Sequence, residues 1–309
     1  MTKQMKIALT GATGFIGSHI LTELVSNGHA VTALVRDEKQ AATVATRGAK
    51  AAVVDLYDRP AVVKALSNAD GAVHTASPGD ATSAGLDSAV ADAAIEAYSA
   101  SGKPYAHISG LWVFGSNPSI TEESPFKSPA LVAWREAIER RLLAARGMRG
   151  IVIVSGTAYG DGGGGVPGVL LASPRDSNGN LIMLGTGRQH WCTVHAADLA
   201  NVFRRVLEDD SAAGYYVVGD GSNPTVAELT EAAAVAAGAP GAVPGSDAEA
   251  RARLGDYFAE VLLLDQGTTA DRVRTTLGWQ PSHPSLVDEF RHGSYQSRVG
   301  QPSIGQTRN

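Results

Sequence analysis

The stretch TGATGFIGSH, Thr10 to His19, constrains this chain more than any other. The apolar segment KIALT precedes it. FIGSHILTELVSNG follows, with Ile16, Ile20 and Leu24 on one helical face and Gly28 as its stop. Strand, glycine-rich turn and helix, in that order, make a phosphate-binding unit. Gly11 permits the tight turn, Gly14 lets backbone approach a pyrophosphate, and Gly17 lets helix and strand pack closely. The helix start adds free N–H groups and the positive end of a dipole.

The alternation continues. AVTALV, AAVVD, DGAVHTAS, PYAHIS and GIVIVSG read as strands. DEKQAATVATRG, RPAVVKALSN, roughly 85–101, and ALVAWREAIERRLLAAR read as the helices between them. Strands apolar along most of their length are covered on both faces. The expected fold class is α/β, a doubly wound parallel sheet, with a smaller, mostly helical C-terminal substrate lobe. The expected division is a dinucleotide-binding domain over 1–160, rejoined by 192–220. A substrate lobe covers 161–191 and 221–290, and a polar tail covers 291–309. GDGGGGVPG, just after Tyr159, reads as a lid or as an unconstrained surface loop.

Composition narrows the function classes. A net charge of −5 without a basic stripe argues against a nucleic-acid partner. No apolar run approaches the ~20 residues of a membrane helix. The N-terminus is too short and polar for a signal peptide. The single cysteine, Cys192, permits no disulfide within the chain, which fits a reducing cytoplasm. His190, Cys192 and His195 lack zinc-ligand spacing, so no metal site is expected. Cys192 reads as a buried apolar residue, and no G-x-S-x-G nucleophile turn occurs.

Beyond TGATGFIG, the segments VVDLYD, AVHTAS, ISGLWVFG, TEESP, VHAADLA and LGWQP fall in family order along nearly the whole chain. In these the sequence resembles the extended short-chain dehydrogenase/reductase group, which includes nucleotide-sugar epimerases and dihydroflavonol-reductase-like enzymes. The resemblance implies cofactor contacts at Gly11, Thr13, Gly14, Phe15, Ile16 and Gly17. It also implies an adenine pocket at Asp55 and Leu56, and a path past Thr75 and Ala76 toward the nicotinamide ribose. Val35 stands where an acid would bind the ribose of NAD. Arg36 comes next, and its fork suits a 2′-phosphate, so NADP(H) is expected over NAD(H). Asp37 is adjacent, and a shift of the alignment would change that choice.

The family's catalytic set is Ser/Thr, Tyr and, four residues after the Tyr, Lys. The cation pulls the phenol pKa toward neutral. None of the tyrosines at 57, 98, 105, 159, 215, 216, 257 and 295 has a basic residue four positions on. Taking the register from Glu139 puts Leu131 at the tyrosine position and Arg135 at the lysine position, where Arg135 is left to hold ribose hydroxyls. The serine position falls on Gly110, beside Ser109. Val154 and Ser155 replace a common Arg-Pro pair, which argues against a nucleotide sugar. Tyr159 and Ser109, then Tyr98, are the candidate proton donors, and Trp112 faces a mostly apolar pocket.

The expected function is an NADP(H)-dependent reductase of a small carbonyl-, enone- or imine-type compound. Alternatives are a non-catalytic NADP(H) sensor and an epimerase/dehydratase-like enzyme. In relatives the helix carrying Arg140, Arg141 and Arg146 pairs with its copy, which makes a homodimer an expectation here.

Overall fold

The structure, a computed structural model, describes residues 4–296. Strands and helices alternate through the first half: β1 (Lys6–Thr10), α1 (Phe15–Ser26), β2 (Ala30–Val35), α2 (Glu38–Ala45), β3 (Lys50–Val53), α3 (Arg59–Ser67), β4 (Gly71–His74), α4 (Ser83–Tyr98), β5 (Pro104–Gly110), α5 (Trp134–Ala144) and β6 (Arg149–Ser155). The second half holds β7 (Thr157–Tyr159), α6 (Gly165–Leu171), β8 (Leu181–Ile182), β9 (Thr193–His195), α7 (Ala196–Glu208) and β10 (Gly214–Val218). It closes with α8 (Val226–Ala236), β11 (Ala242–Val243), α9 (Asp247–Leu254), α10 (Asp256–Leu262), α11 (Asp271–Leu277) and α12 (Leu286–His292).

Seven strands form one parallel sheet in the order β10-β6-β5-β4-β1-β2-β3. The order reverses beside β1, so the carboxyl ends of β1 and β4 open a crevice there. One face packs on α1 and α7, whose Leu24, Val202, Phe203 and Val206 are buried with Trp279. The other face packs on α3, α4 and α5 through Leu66, Val90, Tyr98 and Leu142. The α7 residues repeat at helical spacing, and that repeat turns one side of the helix onto the sheet. The outer edge of β10 is blunted at Val217, whose N–H donates to Glu122 at 2.9 Å.

A separate apolar cluster joins Leu170, Leu184 and Trp191 to Leu229, Val261 and Phe290. Tyr159 and Tyr295 belong to it. The expected polar tail therefore starts too early at 291. α12 runs to His292 and Tyr295 is 1% exposed. The remainder of that tail, 297–309, lies outside the described residues.

A buried polar chain runs beneath the crevice. Thr10 Oγ1 lies 2.7 Å from His74 Nδ1, and His74 Nε2 lies 3.2 Å from Asp87 on α4. His107 Nε2 approaches the other Asp87 oxygen at 3.5 Å. Burial opposes the Asp87 charge, yet hydrogen bonds from His107 and His74 overcome it and hold the carboxyl well below the usual range. Burial lowers His107 from 6.5 to about 4, so it is neutral in the fold. The unfolded chain protonates this histidine below about pH 6.5 and the native chain does not. Stability therefore falls as pH drops from about 6.5 to about 4, by up to ~1.4 kcal/mol per pH unit. Denaturant unfolding across that window is expected to show this slope in the wild type, and a slope smaller by about one proton in His107→Gln. An unchanged slope contradicts the assignment.

Candidate active site

The phosphate loop is shaped by backbone contact. Gly11 has φ +74°, and a Cβ there would lie 2.6 Å from Ala76 N. A Cβ on Gly17 would lie 2.1 Å from the Gly11 carbonyl oxygen and 2.8 Å from Thr75 Oγ1. Gly14 is different, since the nearest atom to its absent Cβ is the Gly11 oxygen at 3.3 Å. A Cβ at Gly14 would thus meet one close contact that a small shift relieves, where Gly11 and Gly17 would meet outright clashes. Gly14 is also the N-cap of α1 and supplies no side-chain cap, so among the described residues no side chain caps the first N–H groups of this twelve-residue helix. Thr75 Oγ1 donates to the Thr10 carbonyl at 2.9 Å and fixes the end of β4 against the loop. Gly11, Thr13, Gly14, Phe15, Ile16, Gly17, Thr75 and Ala76 thus gather at one corner of the crevice.

At the end of β2, Arg36 is exposed, and among the described residues its guanidinium has no hydrogen bond or ion pair. Asp37 is engaged otherwise: as N-cap of α2 it accepts from Gln40 N at 2.8 Å. Asp55 is exposed and accepts from Tyr57 N, while Leu56 is buried beside it. These features fit the adenosine side of a dinucleotide.

A cleft of about 770 Å³ opens past the end of β4. Its walls come from the segment Ser77–Ala84, from Trp112 after β5, from Ala130–Arg135 at the start of α5, and from Tyr257 and Phe258 on α10. Ser83 Oγ holds the first wall by accepting from Gly79 N at 3.1 Å and Asp80 N at 3.3 Å. Trp112 and Phe258 meet edge to face at 6.3 Å. The Arg135 guanidinium stacks over the Trp134 ring at 4.6 Å and donates to the Ile108 carbonyl at 3.3 Å. Leu131, in the turn before α5, and Arg135, in the first turn of α5, share this wall.

The expected proton donors are elsewhere. Ser109 is buried and donates to Glu139 Oε1 at 2.6 Å, away from the cleft. Burial raises the Glu139 pKa, against the lowering effect of the Ser109 hydrogen bond and the nearby Arg135 charge. Tyr159 is 1% exposed and donates to the Pro284 carbonyl at 2.8 Å. Burial, with Asp220 beside it, pushes its pKa far up. Tyr98 is buried and donates to the Leu66 carbonyl at 3.1 Å. None of the three lines the cleft, so these catalytic expectations are corrected. Tyr257, Phe258, Trp134 and Asp80 do line it, and the sequence reading missed them.

Other motif residues act as braces. Asp198 accepts from Ser282 N, Ser282 Oγ, His283 N and His283 Nδ1, tying α7 to the segment before α12. His195 caps α7 and stacks on His283 at 4.1 Å. His190 pairs with Asp265 at 2.8 Å. Burial pushes the Cys192 thiol pKa well up.

The NAD(P)H-binding family model matches residues 11–161, the half of the chain that carries this loop and most of the sheet. Over nearly full length the fold superposes on the human epimerase family protein SDR39U1 solved with NADPH, with TM-score 0.72, 24% identity, 94% of this chain and 99% of that one. It also superposes on the Thermus thermophilus UDP-glucose 4-epimerase solved with NAD, with TM-score 0.73, 21% identity, 96% of this chain and 100% of that one. Residues 11–161 therefore form an NAD(P)H-binding domain, and the fold is the one these two solved structures share. A Streptomyces relative, 3-diazoavenalumate denitrifying reductase, is 29% identical over 92% of this chain and 98% of its own.

Gly14 and Gly17 separate ligand contact from internal packing. Gly14→Ala is expected to keep the melting temperature near wild type while weakening dinucleotide binding. Gly17→Ala is expected to lose both, with ~1–3 kcal/mol of stability gone from the forced contact with Gly11. Thermal melts and calorimetric titration with NADPH check this, and equal loss of stability in the two variants contradicts it.

Proposed function

We propose that the chain is an NADP(H)-dependent reductase of a flat, largely apolar carbonyl-, enone- or imine-type compound. We further propose that its substrate is electron-poor enough to accept hydride without acid help from the protein. The observation that carries this reading is Leu131 on the cleft wall, four positions before Arg135, where the resemblance implies a proton-donating phenol. When bound, the reduced nicotinamide supplies the hydride. The chain supplies the α1 N-terminus for the pyrophosphate, Arg135 for ribose hydroxyls, and an apolar enclosure from Trp112, Trp134 and Phe258 that displaces water.

The ionisable heads lining the cleft are Asp80, Arg135 and Tyr257. Hydrogen bonds from Thr82 lower the Asp80 pKa, so Asp80 is an anion at neutral pH and no proton source. An anion at this rim favours a cationic acceptor such as an iminium over a neutral ketone. Tyr257 is 64% exposed and makes no hydrogen bond to a base among the described residues. The relative named as a reductase of a diazo compound supports reduction as the reaction type.

NADP(H) is favoured by the unpaired Arg36 at the end of β2 and by the engagement of Asp37 in its helix cap. Charge-assisted bonds to a 2′-phosphate contribute ~1.5–3 kcal/mol, so Arg36→Ala is expected to weaken NADPH roughly 10- to 100-fold and NADH much less. Equal losses overturn the preference.

The reductase reading is tested by mixing the protein with NADPH and a panel of ketones, electron-poor enones and iminium ions. Absorbance of the reduced nicotinamide is followed. Oxidation is expected with the enones or iminium ions and to be slow or absent with simple ketones. The missing phenol also favours a second reading, a dinucleotide-binding protein without turnover. Tight NADPH binding with no oxidation by any acceptor would support that reading and overturn the first.

A further inference from the structure

The glycine-rich turn after β7 is neither loose nor solvent-bound. Gly163 N–H donates to the Gly160 carbonyl at 2.7 Å, closing the turn. The backbone takes positive φ at Gly160 (122°), Asp161 (49°) and Gly162 (63°). Such a conformation persists only where the surroundings hold it. One phenol does much of the holding: Tyr295 Oη accepts from Gly160 N–H at 3.0 Å and donates to the Gly163 carbonyl at 2.5 Å. Ser294 Oγ accepts from Gly162 N–H at 2.7 Å and donates to Glu289 at 2.5 Å. Both residues lie just past α12, more than 130 positions along the chain from the turn.

The far side of the turn meets the phosphate loop. A Cβ on Gly163 would lie 2.5 Å from the Phe15 ring, so only glycine lets the turn come this close. Phe15 is the first residue of α1, whose first N–H groups no side chain caps among the described residues. One turn along α1, His19 lies 3.7 Å from Asp161. The turn is thus pinned between the helix that receives the pyrophosphate and the end of α12.

We propose that Tyr295 and Ser294 are positioning residues for the dinucleotide. They hold the 160–163 turn as a wall beside the α1 N-terminus, and the segment after α12 thereby sets how long the nicotinamide half of the cofactor stays bound. This rests on the dinucleotide site and not on the proposed reductase activity.

The test uses the full chain, stopped-flow fluorescence with NADPH, and 2′,5′-ADP as a fragment lacking the pyrophosphate and nicotinamide. Tyr295→Phe removes both phenol bonds. The expected result is roughly tenfold faster NADPH release, the equivalent of ~1.4 kcal/mol from two net hydrogen bonds, with fragment affinity unchanged. Unchanged NADPH release overturns the proposal, and so does an equal loss of NADPH and fragment, which marks general loosening. Ser294→Ala, which removes one bond to the turn, that to Gly162 N–H, along with the Ser294–Glu289 bond, is expected to shift release in the same direction by a smaller factor. It stands in if Tyr295→Phe does not fold, and no shift in it then overturns the proposal. Failure of the wild type to bind either molecule contradicts the dinucleotide site itself.

Discussion

The contact between α1 and the end of β1 organises this molecule. At Gly17 the helix lies so near the Gly11 carbonyl that a methyl group would sit 2.1 Å away. That closeness aims the helix end at the mouth of the crevice, with Gly14 the least crowded of the three glycines. The end of β4 is locked against the same turn through Thr75. The chain from Thr10 to Asp87 then carries the constraint into α4, whose first residue, Ser83, braces the wall of the cleft. The glycine-rich loop and this wall of the cleft are therefore joined by one run of hydrogen bonds through Thr10, His74 and Asp87.

Charge in this unit follows from the partners each group has. Asp87 is ionised in the interior because two histidines serve it. Glu139, served by Ser109 on one oxygen, is pushed toward the protonated form by burial. At the cleft the arrangement differs. Arg135 rests on the Trp134 ring and Asp80 is tied to Thr82, so the opening is edged by fixed charge while its walls are aromatic. Among the described residues, the ionisable side chains that line the cleft are Asp80, Arg135 and Tyr257.

Much of the fold was legible because its signals are local. AVTALV is β2 from end to end, and the sheet strands follow from apolar runs separated by helical periods. Leu131 and Arg135 both line the cleft, but Leu131 does so from the turn that precedes α5 and not from the helix face itself. The misses have physical causes. Along a strand successive side chains face opposite ways, so Ser109 turns inward to Glu139 while its neighbour Gly110 does not. Tyr159 sits on β7, which pairs with β9, and its hydroxyl is taken by Pro284, 125 residues away. Tyr257 and Phe258 reach the cleft from α10, far along the chain from Leu131. Nothing local in DYFAEVL announces that closure. The described part of the tail was misjudged for the same reason: Ser294 and Tyr295 look polar or isolated in sequence and find their partners only in space.

The most direct test of the central claim is the pH dependence of single-turnover hydride transfer from NADPH to a productive acceptor. With cofactor saturating, a site that lends no proton gives a rate that is flat between about pH 6 and 9. A rate that instead follows the ionisation of one group, and loses that dependence in Tyr257→Phe, would show that the cleft does hold an acid and would contradict the account.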